Sequence, residues 1–188
     1  LEAGDDVGGT WYWNRYPGAR CDIPSMEYSF SFSSELEQEW DWTEVMARQP
    51  EILEYAQHIA DRFDLRRDIK FNTRVASAHY RDEQRWRITT ETDDVFESRF
   101  CVLATGCLSV PNTPTIEGAD QFKGNIYHTG QWPNDGVDFS TTRVGIIGTG
   151  SSGIQAIPVL AEQAKHLTVF QRTPNYTCLL YTSPSPRD

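Results

Sequence analysis

Gly148, Gly150 and Gly153 stand at G-x-G-x-x-G spacing in the stretch "RVGIIGTGSSGIQ". The spacing alone is a weak signal, but here it follows a predicted strand and opens a predicted helix, the context that a dinucleotide-binding turn requires. The first glycine permits the tight turn, the second lets the backbone approach a pyrophosphate, and the third lets helix and strand pack closely. The helix N-terminus then presents backbone N–H groups to the anion. A merely glycine-rich turn is the other reading. The residue at the end of the next strand selects the cofactor, and an NAD site wants an acid there, about 20 residues on. This chain has Arg172 followed by Thr173 in "FQRTPN". A guanidinium fork matches a phosphate, so the position predicts NADP; an exposed arginine paired with an acid is the alternative. At the start of the chain, Leu1-Glu2 reads as the same position of another such unit, this time with an acid, whose glycine loop would lie upstream. One acidic and one basic ribose end predict two dinucleotides, FAD held at Glu2 and NADP(H) held at Arg172.

The elements that must position these residues follow from pattern. "RVGIIG" predicts a buried strand, "SSGIQAIPVLAEQA" a helix that Pro158 should kink, and "LTVFQR" a second strand. Upstream, residues 5–34 are rich in Gly, Tyr, Trp and Ser and predict a long ordered loop with short helical pieces. "PEILEYAQHIADRF" predicts a helix, with Pro50 in the first turn and Ile52, Ala56, Ile59 and Phe63 on one face. "IKFNTRVASAHYR", "RWRITTET" and "DVFESRFCVLATG" predict three strands, with turns at "DEQ" and near Asp93-Asp94. The last ends in the continuous apolar run Cys101 to Ala104, the signature of a strand buried on both faces, closed by a turn at Thr105-Gly106.

Composition narrows the function classes. The chain has 188 residues, 38% hydrophobic and 23% charged, with a net charge of −10, which is ordinary globular composition. The acids are scattered and no basic patch with interleaved aromatics appears, which argues against a nucleic-acid partner. No apolar run approaches the ~20 residues of a membrane helix. Cys21, Cys101, Cys107 and Cys178 show no C-x-x-C and no metal-ligand spacing; they read as free thiols in a reducing cytoplasm, and no metal site is expected. The last eleven residues, "CLLYTSPSPRD" (178–188), break every upstream pattern and match a translated sequencing adapter; a flexible Ser/Pro-rich linker is the alternative. With a start that reads like the end of a strand, the chain is expected to be a fragment cut at both ends.

Four stretches carry a resemblance to a known family: "GDDVGGTWYWNRYPGARCD", the "LATG" strand end, "FKGNIYHTGQWP", and "GTGSSGIQ" with "FQRTP". Together they resemble the Baeyer–Villiger monooxygenases, flavoproteins such as cyclohexanone and phenylacetone monooxygenase. The third stretch fits the family fingerprint F-x-G-x-x-x-H-x-x-x-W-P at Phe122, Gly124, His128, Trp132 and Pro133. Its Trp-Pro ending argues against the sister flavin-containing and N-hydroxylating enzymes. The resemblance covers about residues 1–177 and implies an α/β fold of two Rossmann-like domains, one for FAD and one for NADP, both truncated. Residues 1–135 would be part of the FAD domain, including the linker fingerprint at 122–133, and 142–177 the start of the NADP domain.

Residue roles follow from the same resemblance. Glu2 would hold the FAD ribose, and Gly9, Thr10 and Trp11 would line the flavin. Asp22 would sit near the flavin and orient an active-site arginine; a loop-capping acid is the alternative. Tyr28, Ala104, Thr105, Gly106 and Trp132 are further cofactor-binding candidates, and Val75 would touch the adenine end through its backbone. Gly148, Thr149, Gly150, Ser151, Ser152, Gly153, Gln155, Arg172 and Thr173 form the NADP side. Asp22 and His128 are the candidate catalytic residues. For His128 the implied role is conformational, tying the linker to a moving NADP domain with Trp132; a histidine satisfied in a packed linker is the other reading. Cys107 stands where some relatives carry Gln near the nicotinamide, which puts that contact in doubt. The implied reaction uses FAD, NADPH and O2 to insert an oxygen into a ketone through a flavin C4a-peroxide, giving an ester or lactone. The alternatives are an N- or S-oxidising flavin monooxygenase, and a non-catalytic fragment that binds NADP weakly at most.

Overall fold

The computed structural model describes residues 1–108 and 110–175. In the N-terminal half, aromatic side chains pack around one amphipathic helix. Helix α1 (Thr10–Trp13) and helix α2 (Ser34–Glu39) are short, as the Gly- and Ser-rich sequence predicts. Ser33 caps α2 by accepting the Leu36 N–H. Helix α3 (Gln49–Arg62) carries Pro50 in its first turn and buries Gln49, Ile52, Tyr55, Ile59 and Ala60. Tyr55 therefore takes the central place on the apolar face, while Ala56 and Phe63 are half-buried. Two cores flank α3: Cys21, Ala47 and Ile52 under Trp11, Tyr28, Trp42 and Met46, and Leu36, Tyr55 and Ile59 under Trp40, Trp42 and Phe63.

After α3, an antiparallel sheet β1-β2-β3 is formed by Val75–Arg81, Arg85–Thr90 and Val95–Ser98. Its two turns place Gln84 and Asp93 at positive φ, so the turns fall where the sequence predicts them. The first and third strands are shorter than expected. Residues 70–73 bond to residues 2–4 instead of to β2, through Glu2 N–H to Lys70 O, Thr73 N–H to Glu2 O and Asn72 N–H to Gly4 O, and Asn72 turns to φ 51. The expectation of a buried strand at Cys101–Ala104 is corrected: the ladder stops at Ser98, and Val102 and Leu103 are 88% and 70% exposed. A strand needs partners for its edges and faces, and no described strand pairs with this run.

The second unit is a right-sized βαβ turn. Strands β4 (Arg143–Ile147) and β5 (His166–Phe170) are parallel and paired residue by residue, and helix α4 (Ser151–Gln163) connects them and runs through Pro158. Ala156 and Leu160 of α4 close over Val144, Ile146 and Leu167, with Phe139, Trp132 and Tyr16 completing the core. Among the described residues only one sheet face is covered: Ile147 is 70% exposed and Phe170 57%, so β4, expected as a buried strand, is buried on one side only. Among the described residues no helix is long and apolar enough to cross a membrane, and no group of His, Cys, Asp or Glu could hold a metal ion. Cys21 is buried and Cys101 and Cys107 are free thiols. The expectations for Cys178 and for residues 178–188 lie outside the described residues.

Candidate dinucleotide-binding site

The glycine loop is shaped by backbone. Gly148 has φ 99 and donates its N–H to Phe170 O at 2.9 Å, locking the turn to the end of β5. Gly150 caps α4 without any side-chain cap, and the first turn carries no acid. The N–H groups of Ser151, Ser152 and Gly153 thus lack a capping side chain, and the positive end of the helix dipole lacks a carboxylate. Apart from its chain neighbours, no atom of the described residues lies within 4 Å of where a Gly150 Cβ would stand, whereas a Gly153 Cβ would be 2.6 Å from Gly148 O. The second glycine leaves open space for an anion and the third permits close packing. Thr149 Oγ1 lies 3.4 Å from Thr173 O, and Asn175 Nδ2 donates to Thr149 O. These bonds bring the exposed Arg172-Thr173 segment alongside the loop. The clamp from Asn175 is a contact that motif reasoning missed.

On the other side, side chains do the shaping. Gly9, at φ 51, precedes α1, and Thr10 is exposed. Trp11 meets Tyr28 edge-on at 5.7 Å, and the Gln49 amide donates to Trp11 O. Burial, then the nearby Cys21 and Asp22, raise the Tyr28 hydroxyl above its ordinary pKa. Glu2 turns one carboxylate oxygen back onto the Gly4 N–H at 2.8 Å. Through Thr73 its backbone is joined to the segment that leads into Val75, which pairs with Thr90 at the start of β1. Ala104, Thr105 and Gly106 are exposed beyond the end of β3, with Gly106 at φ 73.

Gln155 joins the two sides. Its Oε1 accepts from the Tyr16 hydroxyl at 2.8 Å and the Arg20 N–H at 3.1 Å. Its Nε2 donates to Arg20 O at 3.1 Å and to Asp22 Oδ1 at 2.6 Å. Burial and the Asp22 charge push the Tyr16 hydroxyl up, against an opposing bond from Ser152. Sequence reasoning missed Tyr16 and Gly18; the only signal for Gly18 was its place in "YPGARCD".

The ribbon at 122–133 has no regular element beyond a 3-10 turn at Thr129–Gln131. His128 Nδ1 accepts the Gly130 N–H at 3.0 Å, so the proton belongs on Nε2, which lies 3.3 Å from Asn112 O. Both ring nitrogens are used inside the linker. Trp132 packs on Tyr127 at 5.7 Å and on Phe139 at 6.0 Å, which places it in the core of the βαβ unit.

Known proteins are similar to this chain in sequence and fold. Residues 23–180 match the pyridine nucleotide-disulphide oxidoreductase family. A Baeyer–Villiger monooxygenase of Pseudooceanicola batsensis is 48% identical over 97% of this chain and 34% of its own length. The structure of an oxidized steroid monooxygenase bound to NADP is 62% identical, with a TM-score of 0.87 over 94% of this chain and 34% of that one. The structure of OTEMO in complex with FAD and NADP is 49% identical, with a TM-score of 0.85 over 93% of this chain and 34% of that one. The chain thus spans about a third of the length of these relatives. The chain belongs to the pyridine nucleotide-disulphide oxidoreductase family, and Baeyer–Villiger monooxygenases are among its relatives.

Proposed function

We propose that the protein, at the full length of its relatives, is an FAD- and NADPH-dependent Baeyer–Villiger monooxygenase. It converts a ketone, O2, NADPH and a proton into an ester or lactone, water and NADP+. The observation that carries this reading is the uncapped N-terminus of α4, open beside Gly150 and flanked by Arg172. A pyrophosphate fits that cradle, because anions bind uncapped helix N-termini. Gly148, Thr149, Gly150, Ser151, Ser152 and Gly153 would hold the NADP pyrophosphate, and Arg172 with Thr173 the ribose phosphate. Glu2, Gly9, Thr10, Trp11 and Tyr28 would hold FAD, with Val75 and the 104–106 segment at its edge. When bound, NADPH supplies hydride and FAD the redox chemistry that activates O2. The chain's own part is to orient these groups and exclude water. Asp22 supplies a fixed carboxylate at the flavin-side loop. His128 acts as a structural tie: its two nitrogens hold Asn112 and Gly130 in one geometry while Trp132 anchors the ribbon to the NADP unit.

The test is turnover of the full-length protein with NADPH and a ketone panel under 18O2. A product one labelled oxygen heavier than the ketone, at the mass of an ester, supports the reading. Oxygen appearing only on amines or sulfides would replace it with N- or S-oxidation. NADPH consumption without any oxygenated product would sink both.

A further inference from the structure

The amide of Gln155 is fully engaged, and every partner lies more than 130 residues away in sequence. A glutamine amide offers two N–H donors and two lone pairs. Here Oε1 faces the Tyr16 hydroxyl and the Arg20 N–H, while Nε2 faces Arg20 O and Asp22 Oδ1. Flipping the amide would set its oxygen against a carbonyl and a carboxylate, so the network fixes its orientation. The bond to Asp22 is short, 2.6 Å, and charge-assisted. Backbone contact reinforces it: Gly18, at φ 78, sits so close to α4 that a Cβ there would stand 2.1 Å from Gln155 O and 3.1 Å from Val159 Cγ2. The Tyr16 ring also packs into the core of the βαβ unit. The loop at 16–22 is therefore latched to the first two turns of the helix whose N-terminus forms the anion cradle.

We propose that Gln155 is a positioning residue, through which helix α4 of the nucleotide unit sets the orientation of the Asp22 carboxylate on the flavin side. The proposal rests on the functional reading above. It gives Gln155 a role other than direct contact with NADP, since its amide has no hydrogen-bonding capacity left for a ligand. A shift of α4 when nucleotide binds must either carry Asp22 with it or break the 2.6 Å bond.

Stopped-flow kinetics on the full-length holoenzyme tests this, because NADPH binding and flavin reduction can be read separately. Gln155→Met keeps length and removes the amide. FAD content and the Kd for NADPH are expected to stay within about threefold, while the flavin reduction rate falls by roughly 10-fold or more, as for the loss of a hydrogen bond to a charged group. Gln155→Glu places two carboxylates at hydrogen-bond distance, where they share a proton. Its reduction rate should therefore recover as pH falls, relative to wild type, which a purely packing role for residue 155 would not produce. Should Gln155→Met fail to fold, Tyr16→Phe decides the matter: it keeps the ring in the core, removes one bond to Oε1, and should slow reduction by about threefold. An unchanged reduction rate in folded Gln155→Met, or in Tyr16→Phe where the former does not fold, overturns the proposal. So does a Gln155→Glu profile parallel to that of wild type. Ester formation by wild type with normal rates in the variants sinks the latch alone. No ester from wild type sinks the functional reading, and the latch is then judged by hydrogen exchange: faster exchange of the Arg20 amide in Gln155→Met supports it and unchanged exchange overturns it.

Discussion

The loop at 148–153 is shaped by its backbone, whereas the loop at 8–22 adds a set of side-chain contacts to its glycines, of which Gly18 is pressed against α4. The first needs only glycines at the right places: Gly148 at positive φ, Gly150 beside open space and Gly153 against Gly148 O. The second is held by the Trp11–Tyr28 contact, Gln49 on Trp11 O, Cys21 in the core and Gln155 on Asp22. A backbone-built site should fail abruptly when a Cβ is added and tolerate side-chain changes nearby. The side-chain contacts of the second loop should fail gradually, one at a time.

Among changes aimed at NADPH binding, the largest effect is expected at Gly153. Gly153→Val puts branched carbon where only 2.6 Å separates a Cβ from Gly148 O. Overpacking of this kind costs about 1–3 kcal/mol, and here the strain falls on the loop proposed to hold the pyrophosphate. In the full-length protein NADPH affinity should drop by at least ~10-fold while FAD content holds. Retained NADPH affinity would mean that the cradle is not where the pyrophosphate sits.

Arg172→Ala comes next. Losing a charge-assisted phosphate contact costs roughly 1.5–3 kcal/mol, about 10- to 100-fold. The loss should appear in kcat/KM for NADPH and leave NADH nearly unchanged. Equal losses with both cofactors would make Arg172 a structural residue.

The contrast between the two loops also explains what could be read from sequence. The cradle was legible because its determinants are local: three glycines within six residues, between a strand and a helix. Arg172 could be singled out because it stands just past a strand end, and the structure leaves it exposed beside the glycine loop. The latch was not, since Gln155 and Asp22 are 133 residues apart and neither residue type announces the other. The run Cys101–Ala104 shows the opposite failure. Its apolar pattern states what it could pair with, but pattern carries no information on whether a partner is present, and here Val102 and Leu103 face outward. β4 has a similarly apolar sequence and is a strand because α4 and then β5, the next elements of the chain, cover and pair with it.

The ribbon lies between the two loops and should respond in between. His128→Ala removes the acceptor for the Gly130 N–H and the contact to Asn112 O, each worth about 1 kcal/mol net. Trp132 still anchors the segment in the βαβ core. The expected result is a several-fold rise in NADPH consumed without ester, seen as hydrogen peroxide, at constant FAD content. Unchanged coupling would reduce His128 to a packing residue, and loss of FAD would give it a folding role instead.

The smallest effect belongs to Asp6, where the side-chain-built half can be probed by pH. Burial pushes this carboxyl up, but the Val7 N–H at 2.8 Å, Arg66 and the Gln57 amide at 2.9 Å together hold it below the ordinary carboxylate value. Arg66 directs both Nε and Nη2 at Asp6 Oδ1, at 3.0 and 2.8 Å, and so ties the start of the loop to the segment after α3. A carboxyl whose folded pKa is depressed stabilises the protein fully above its unfolded pKa, near 3.9, and that contribution disappears as pH falls through the folded pKa. Asp6→Asn keeps the shape and removes the charge. Because the pair is partly open to solvent, the cost at neutral pH should be no more than ~1 kcal/mol. The thermal midpoint of the variant should lie slightly below that of wild type at pH 7, and the gap should close below about pH 4, where wild type also begins to lose the charge. Taking the difference between the two proteins cancels every other titrating carboxyl. A gap that stays constant from pH 7 to pH 3 would show that Asp6 acts through its shape and hydrogen bonds alone, and that charge contributes nothing to tying this N-terminal segment to Arg66.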